Sequence, residues 1–517
     1  VVGAGLAGLA AAVALTQAGR RVVLHEAGPQ AGGRCRSYDD REIGCRVDNG
    51  NHLLLSGNRA AAWYLRSIGA AGTMGGPGAP FFPFMDLADG RRWTLRPSAG
   101  RIPWWVLNPG RRVPGTRARD YLGLQKLVRA NGATVMDDVL PAGPLGRDLL
   151  APLAISALNT PTGIAAAALM AAVMRETLMA GGRACVPVFP RASLAESLVD
   201  PALEWLRAQG ATVHFGRRIT ALSTDSARVV GLGQASGDLP LGAGEDVVLA
   251  VPPWAAAELL PGLRTPDEHQ AIINIHFRAT TPVADPAIRR AGFIGLVGGA
   301  TEWVFVKPGH LSATISAANR LVDQPAGAIA ALVWPEVARV LGLSGPMPAW
   351  RVVKERRATF AATPAQDARL CAIWCLRVTG RQQACRQPLK VRSDQAGTLQ
   401  LCWQRRIEAS ACHRKPSTLP DSVKRSTTRS TAQRPHCAGT SATTAIGCSS
   451  SKPTPPFRPN TSCSNIFLTA STRRCRPRSA SICAPPSRCR GRRRMAAGRC
   501  STTAPSTCPA ASRPITR

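Results

Sequence analysis

The chain has 517 residues, a formal net charge of +34 and 16 cysteines, and neither excess is evenly spread. Up to Leu370 there are 38 Lys and Arg against 28 Asp and Glu, with only Cys35, Cys45 and Cys185; beyond it there are 27 against 3, with the other 13 cysteines. No apolar run approaches the roughly 20 residues of a membrane-spanning helix, the opening residues do not read as a basic–apolar–small leader, and three cysteines in the first part argue against a disulfide scaffold and for a reducing, cytoplasmic setting.

The chain opens on Val1-Val2-Gly3-Ala4-Gly5-Leu6-Ala7-Gly8-Leu9. Two strand residues followed by glycines at this spacing form a dinucleotide-binding fingerprint: Gly3 permits the tight turn, Gly5 lets backbone approach a pyrophosphate, and Gly8 lets the next helix pack on the sheet. Only the end of a first strand is present, so the start of the chain is expected to be missing. The spacing predicts a helix over Leu9–Ala18, stopped by Gly19. A short buried strand over Arg21–His25 follows, ending in Glu26, 18 residues after Gly8, where a carboxylate can take a ribose hydroxyl pair.

A second glycine element, Ala31-Gly32-Gly33-Arg34-Cys35-Arg36-Ser37, comes next. Together with the first it resembles the amine oxidase and phytoene desaturase superfamily of flavoproteins. The resemblance implies FAD rather than NAD. It implies contacts from Gly3, Gly5, Leu6, Ala7, Gly8, Glu26, Ala27, Gly32, Gly33 and Arg34; the alternative for Arg34 is a solvated surface charge. Val47-Asp48-Asn49-Gly50-Asn51-His52-Leu53-Leu54-Leu55 is a polar cluster entering an apolar run, suited to backbone lying against a flavin at Asn49 and Gly50. His52 is a candidate proton donor or a packing histidine.

From Trp63 to Met179 apolar residues recur at helical spacing with few acids, as a substrate domain with an apolar pocket requires. Leu150–Ala154, Ala157–Pro161, Arg175–Leu178, Gly181–Cys185, Val188–Arg191 and Asp200–Leu203, with the 47–55 segment, closely resemble the hydroxysqualene dehydroxylases, or squalene-associated FAD-dependent desaturases, of bacterial hopanoid synthesis. Cys185 has no activating neighbour in sequence and reads as buried. Gly210–Phe215 and Arg218–Leu222 read as two strands returning to the FAD domain, and the resemblance puts the backbone of Ile219 at the adenine. Asp246–Pro253 reads as a buried strand ended by prolines. Ile272–Arg278 and Glu302–Val306 alternate as strands of a sheet flooring a lipid pocket; His276 and Trp303 either face that pocket or pack in the core. Val352–Phe360 continues the pattern, which stops near Ala368.

The flavoprotein family requires one more strand, ending Ala-Gly-Asp-Trp, and a helix whose N-terminus faces the cofactor. Neither is written after Phe360, but both are recovered by codon arithmetic. Reading the third base of each codon with the first two of the next, Trp374-Cys375 gives Val without choice. Continuing to Ala396, one consistent choice of bases spells Asn-Leu-Val-Leu-Ala-Gly-Asp-Trp, two free residues, then Thr-Gly-Leu-Pro-Ala-Thr-Ile-Glu-Gly-Ala-Ile-Arg-Ser-Gly. The same offset over 443–460 and 494–502 yields segments resembling squalene–hopene cyclase. Residues 371–517 therefore read as a frameshifted, disordered tail; the alternative is a basic nucleic-acid-binding arm, but the tail shows neither regular aromatic interleaving nor paired Cys-x-x-Cys spacing.

The expected architecture is α/β: a Rossmann-like FAD-binding domain (1–62 and 181–255, with a truncated return over 351–370) and an interleaved α+β substrate domain (63–180 and 256–350). The resemblance implies reductive loss of the hydroxyl of hydroxysqualene, giving squalene, with acid assistance to the departing oxygen and hydride from reduced flavin. His52 and His276 are the candidate acids, and no metal site is expected. The rivals are a carotenoid-type desaturase and an inactive frameshifted remnant. Partners follow from the substrate: an isoprenoid lipid, a peripheral membrane contact through the apolar and basic stretches between Trp93 and Ile164, possible further hopanoid enzymes, and no nucleic acid.

Overall fold

The computed structural model describes residues 1–225, 228–279 and 283–368, with the backbone of Cys375–Leu376. Apart from that pair, the expectation for 371–517 lies outside the described residues.

The opening helix runs Leu6–Gln17, three residues earlier than its apolar spacing predicts, because Gly5 is still extended (φ −66°, ψ 174°) and the next residue can already turn. Its Ala, Leu and Val side chains are buried on nearly every side, and a helix apolar all round must be enclosed. The enclosing elements are a small parallel sheet and the helices Arg59–Ser67 and Asp200–Ala208. In the sheet, Thr212–His214 pairs with Val23–His25, and Val2 bridges both His25 and Leu249. The predicted strand over Asp246–Val251 contracts to Val247–Val248 plus the Leu249 bridge. Cys375–Leu376 lies antiparallel to Val247–Val248, so that side of the sheet carries one short pair. Of the two strands predicted over 210–222, only the first joins this sheet; Ile219–Asp225 instead starts a three-stranded antiparallel meander with Arg228–Gln234 and Leu239–Pro240.

The second sheet has seven strands in the order Trp350–Phe360, His269–Arg278, His310–Ile315, Trp303–Lys307, Phe293–Val297, Phe82–Asp86, Arg92–Leu95. All neighbours are antiparallel except Phe293–Val297 with Phe82–Asp86. Side chains alternate across the sheet with the strand period of two. Ile273, Ile275, Phe277, Ile294, Leu296, Val304, Ala313 and Ile315 lie in one core with Ile329, Val333 and Val337 of the helix Ala326–Leu341.

The residues between them point to the opposite face, which is graded. Phe293 and Phe305 meet Phe81 and Phe189, with Trp303 packed against them; Asn274, His276, Lys307, His310, Ser312 and Thr314 are polar and buried. Beside the aromatic end, Phe84, Trp93 and Val297 join a helical layer that includes Leu149, Leu150 and Met170. Among the described residues no helix is long and apolar enough to cross a membrane.

Candidate cofactor site

The three fingerprint glycines do different work. Gly3 has φ +97°, and a Cβ there would sit 2.5 Å from the Ala250 carbonyl oxygen. A Cβ on Gly8 would sit 1.8 Å from the carbonyl oxygen of Gly3, so the helix can start only where side chains are absent. Gly5 is the opposite case: nothing lies within 4 Å of where its Cβ would be. The chain keeps open space in front of Gly5, at the N-terminus of a 12-residue helix with no side-chain cap and no acid in its first turn. Free amides at the positive end of a helix facing open space are a fitted cradle for a pyrophosphate.

Leu6 is buried in the helix core, while Ala7, beside Gly8, stays partly accessible. Glu26 bounds the cradle from the next strand: its carboxylate accepts the amides of Ala4 (2.7 Å) and Gly28 (2.8 Å) and is thereby fixed at the strand end, beside the exposed Ala27. The Arg217 amide donates to the Glu26 carbonyl (2.8 Å), which brings the 214–219 segment to that end; the side chain of Ile219 packs inward with Val2.

Gly32 and Gly33, both at positive φ, meet the first element directly. Gly32 donates to Ala4 O (2.9 Å) and bridges Gly5, and a Cβ on Gly33 would come within 3.3 Å of the Gly5 Cα. The exposed Arg34 donates to the carbonyl of Ala358 in the last strand of the large sheet. Asn49 donates from Nδ2 to Arg34 O (3.4 Å) and to Glu355 (3.2 Å). The residues that the resemblance assigns to the cofactor are thus joined around one turn.

The 48–52 loop lies on the polar end of the large sheet. Asn51 Nδ2 reaches Ser312 Oγ (2.7 Å) and Thr314 Oγ1 (2.9 Å), and Thr314 Oγ1 donates to Asn274 Oδ1 (2.9 Å). Gly50 approaches Asn274 so closely that a Cβ would be 3.2 Å from its Nδ2. Beneath the loop Asp48 forms a buried ion pair with Lys307 (3.3 Å, both side chains 3% exposed). Its other oxygen accepts from Ser37 Oγ (2.7 Å) and the Leu194 amide (2.8 Å), so the buried charge is fully engaged.

The two histidine candidates separate here. His276 is wholly buried, with Nε2 2.9 Å from Asp48 O and its ring edge-on to His310 (5.4 Å); it supports the loop from below. Burial, reinforced by His310, lowers its pKa to about 4. His52 is only partly buried, with Nε2 3.9 Å from Cys35 Sγ; desolvation takes it to about 4 as well, so both rings are neutral near pH 7. Trp303 points into the aromatic cluster and donates from Nε1 to Ser156 Oγ (2.7 Å). Cys185 is buried, its thiol raised to about 12 by that burial.

Sequence reasoning did not single out the Asp48–Lys307 pair or the Asn51–Asn274–Ser312–Thr314 network. One signal was available: polar residues at 274 and 276, and again at 310, 312 and 314, occupy alternate positions in strands otherwise apolar.

A glycine turn feeding a helix, a carboxylate fixed at the end of the next strand and a second glycine pair are the pattern of a dinucleotide-binding protein. The sequence profile described as flavin containing amine oxidoreductase matches residues 6–401, so the chain belongs to that family, and its cofactor is FAD. Solved structures share the architecture at low identity. A putrescine oxidase double mutant aligns with a TM-score of 0.53 at 16% identity (80% of this chain, 97% of that one). Cyclohexylamine oxidase from Brevibacterium oxydans aligns at 0.51 and 15% (72% and 89%). Within the family, the chain is similar to hydroxysqualene dehydroxylases: 48% identical to that of Rhodopseudomonas palustris (71% of this chain, 87% of the relative) and 45% to that of Zymomonas mobilis (71% and 88%), each over 370 residues.

Proposed function

We propose that this flavoenzyme removes the hydroxyl of hydroxysqualene reductively, giving squalene. The observation that carries the proposal is the 44–48% identity to three hydroxysqualene dehydroxylases, each matched over 370 residues. FAD, when bound and reduced, supplies the hydride that such a replacement of C–O by C–H needs. The chain's own residues supply the rest. Gly3, Gly5, Gly8 and the free amides of the first helix hold the diphosphate, Glu26 the ribose, and Gly32, Gly33 and Arg34 the opposite side of the turn; Asn49 and Gly50 carry backbone toward the flavin. Asp48 and Lys307 hold the loop that bears Asn49, Gly50 and His52 at fixed height on the sheet. His52, partly accessible and neutral near pH 7, holds no imidazolium proton of its own and is the candidate to relay one from water through its ring to the departing oxygen. Trp303, half-buried against the aromatic cluster of Phe293 and Phe305, is the side chain there that keeps some surface to offer a C30 isoprenoid. The same substrate dissolves in bilayers, so peripheral association with a membrane belongs to this reading.

Two versions of the chain test it: the protein as it stands and one with the reading frame restored after about residue 370. Each is incubated with hydroxysqualene in micelles, FAD and a chemical reductant, and squalene is quantified by mass. The restored chain is expected to form squalene and the unrestored one not. Turnover of a carotene under oxidised FAD, with no squalene under reduced FAD, would select the desaturase alternative.

A further inference from the structure

Large apolar side chains exposed to solvent are few among the described residues, and the four most exposed sit together in sequence: Ile102 (58%), Trp104 (64%), Leu107 (62%) and Leu122 (65%). Trp104, Leu107 and Leu122 belong to two short 3-10 turns, Trp104–Leu107 and Ala118–Gly123, that pack on one another, and Ile102 lies just before the first. The contact is made by their neighbours. Trp105 and Tyr121 are buried and meet edge to face at 5.2 Å, and the Tyr121 hydroxyl accepts the Val113 amide (3.1 Å). The Trp105 amide donates to Ser98 Oγ (2.9 Å), and Arg112 donates to Val106 O (2.6 Å). In each turn one aromatic ring is clamped inward, so the adjacent Trp104 and Leu122 are presented outward by a built scaffold rather than by a frayed loop.

Charge identifies what this face meets. Residues 101–129 hold seven Lys and Arg and one acid, Asp120, whose carboxylate is turned back to accept the Arg117 amide (2.7 Å). Arg101, Arg117 and Arg119 are exposed on the two turns or at their ends. An exposed apolar patch marks an interaction surface; Trp and Leu between arginines suit a headgroup region, where apolar side chains enter the acyl boundary and cations meet phosphates. We infer that residues 101–122 dock on an anionic phospholipid bilayer, with Trp104, Leu107 and Leu122 inserted and Arg101, Arg117 and Arg119 over the phosphates. The inference deepens the reading of a bilayer-dissolved substrate and rests on it for its purpose. Its test reads binding alone, so a failure here and a failure of the substrate assignment are distinguishable.

The full chain is floated with vesicles of phosphatidylcholine and phosphatidylglycerol in equal parts. The basic residues beyond Leu370 also attract anionic vesicles, so the apolar contribution is read at high salt, where the Debye length falls to roughly 3 Å. Trp104→Glu with Leu107→Glu is expected to lower the bound fraction on the order of tenfold or more, with circular dichroism and melting temperature unchanged. Leu332→Glu, a like change at an exposed leucine of the helix Ala326–Leu341, is expected to bind as the parent does. Arg101→Glu, Arg117→Glu and Arg119→Glu together should weaken binding to the mixed vesicles at low salt and leave binding to pure phosphatidylcholine unaltered. Undiminished binding by the Trp104/Leu107 variant, or an equal loss with Leu332→Glu, overturns the inference. So does a change in oligomeric state with vesicle binding intact, which would assign the face to a second copy of the chain.

Discussion

The glycine turn at residues 3–8 and the polar loop at residues 48–52 are linked through Gly33, Arg34 and Asn49 and are built by opposite means. The turn is a matter of backbone: its shape follows from side chains that are missing at Gly3, Gly5 and Gly8, and the contacts enforcing two of those absences are the Ala250 and Gly3 carbonyls. The loop is a matter of side chains: Asp48 and Asn51 are seated by Lys307, Ser312, Thr314 and Asn274, roughly 220 to 265 residues away. A local backbone requirement writes itself as a motif. A long-range network of partners does not, because each member is an ordinary polar residue until the strands are set side by side.

The contrast is broken or sharpened by substitution. The largest effect is expected from Gly8→Ala, since a methyl 1.8 Å from a backbone oxygen cannot be accommodated by a rotamer change; a loss of about 4 kcal/mol or more is expected, read by urea unfolding together with loss of bound flavin absorbance. Lys307→Met comes next. It strands the buried Asp48 carboxylate and should cost about 3–5 kcal/mol, whereas Asp48→Asn added to Lys307→Met should recover much of it. If the double variant is no more stable than the single one, the pair is not what seats the loop.

Proton linkage gives a smaller effect of defined sign. His52 and His276 fall to about 4 in the fold against an ordinary 6.5, so the unfolded chain takes up protons first. Stability is therefore intact above about pH 6.5 and declines as pH falls toward 4, by up to about 1.4 kcal/mol per pH unit for each ring. Unfolding midpoints measured along this range should show that slope, and His276→Gln should flatten it. Glu302, raised to about 8 by burial, acts in the other direction: its contribution is present below about 4.5 and is lost as pH rises through about 8, so Glu302→Gln should make the alkaline limb shallower. The smallest structural effect is expected at Gly5→Ala. Open space in front of Gly5 predicts a change in stability within about 0.5 kcal/mol but a loss of FAD affinity of at least about tenfold, measured by flavin titration. An unchanged affinity would remove Gly5 from the cradle.

This division explains how much was legible. The glycine elements, Glu26 and the helix after them could be placed from sequence to within a few residues, because each rests on conformations that neighbouring residues dictate. The Trp303–Lys307 and His269–Arg278 strands were legible from alternation. The fate of Ile219–Asp225 was not: the same alternation serves a parallel sheet or an antiparallel meander, and only the pairing with Arg228–Gln234 decides between them. His276 illustrates the remaining gap. A histidine in a strand cannot announce whether it looks into a site or props up a loop, and here it is the Asp48 carbonyl that its ring meets.

The bridge from Val2 to Leu249 also sets a schedule for the chain's birth. Val2 finds one neighbour early, in Val23–His25, but its other neighbour, Leu249, is translated almost 250 residues later, a wait of roughly 12 to 50 s at ordinary elongation rates. Until Asp200–Ala208 and Thr212–His214 are also made, the apolar helix Leu6–Gln17 lacks part of the core that will enclose it. The nascent chain thus spends much of its synthesis displaying apolar surface that it will later bury, and over that window association with other chains competes with folding.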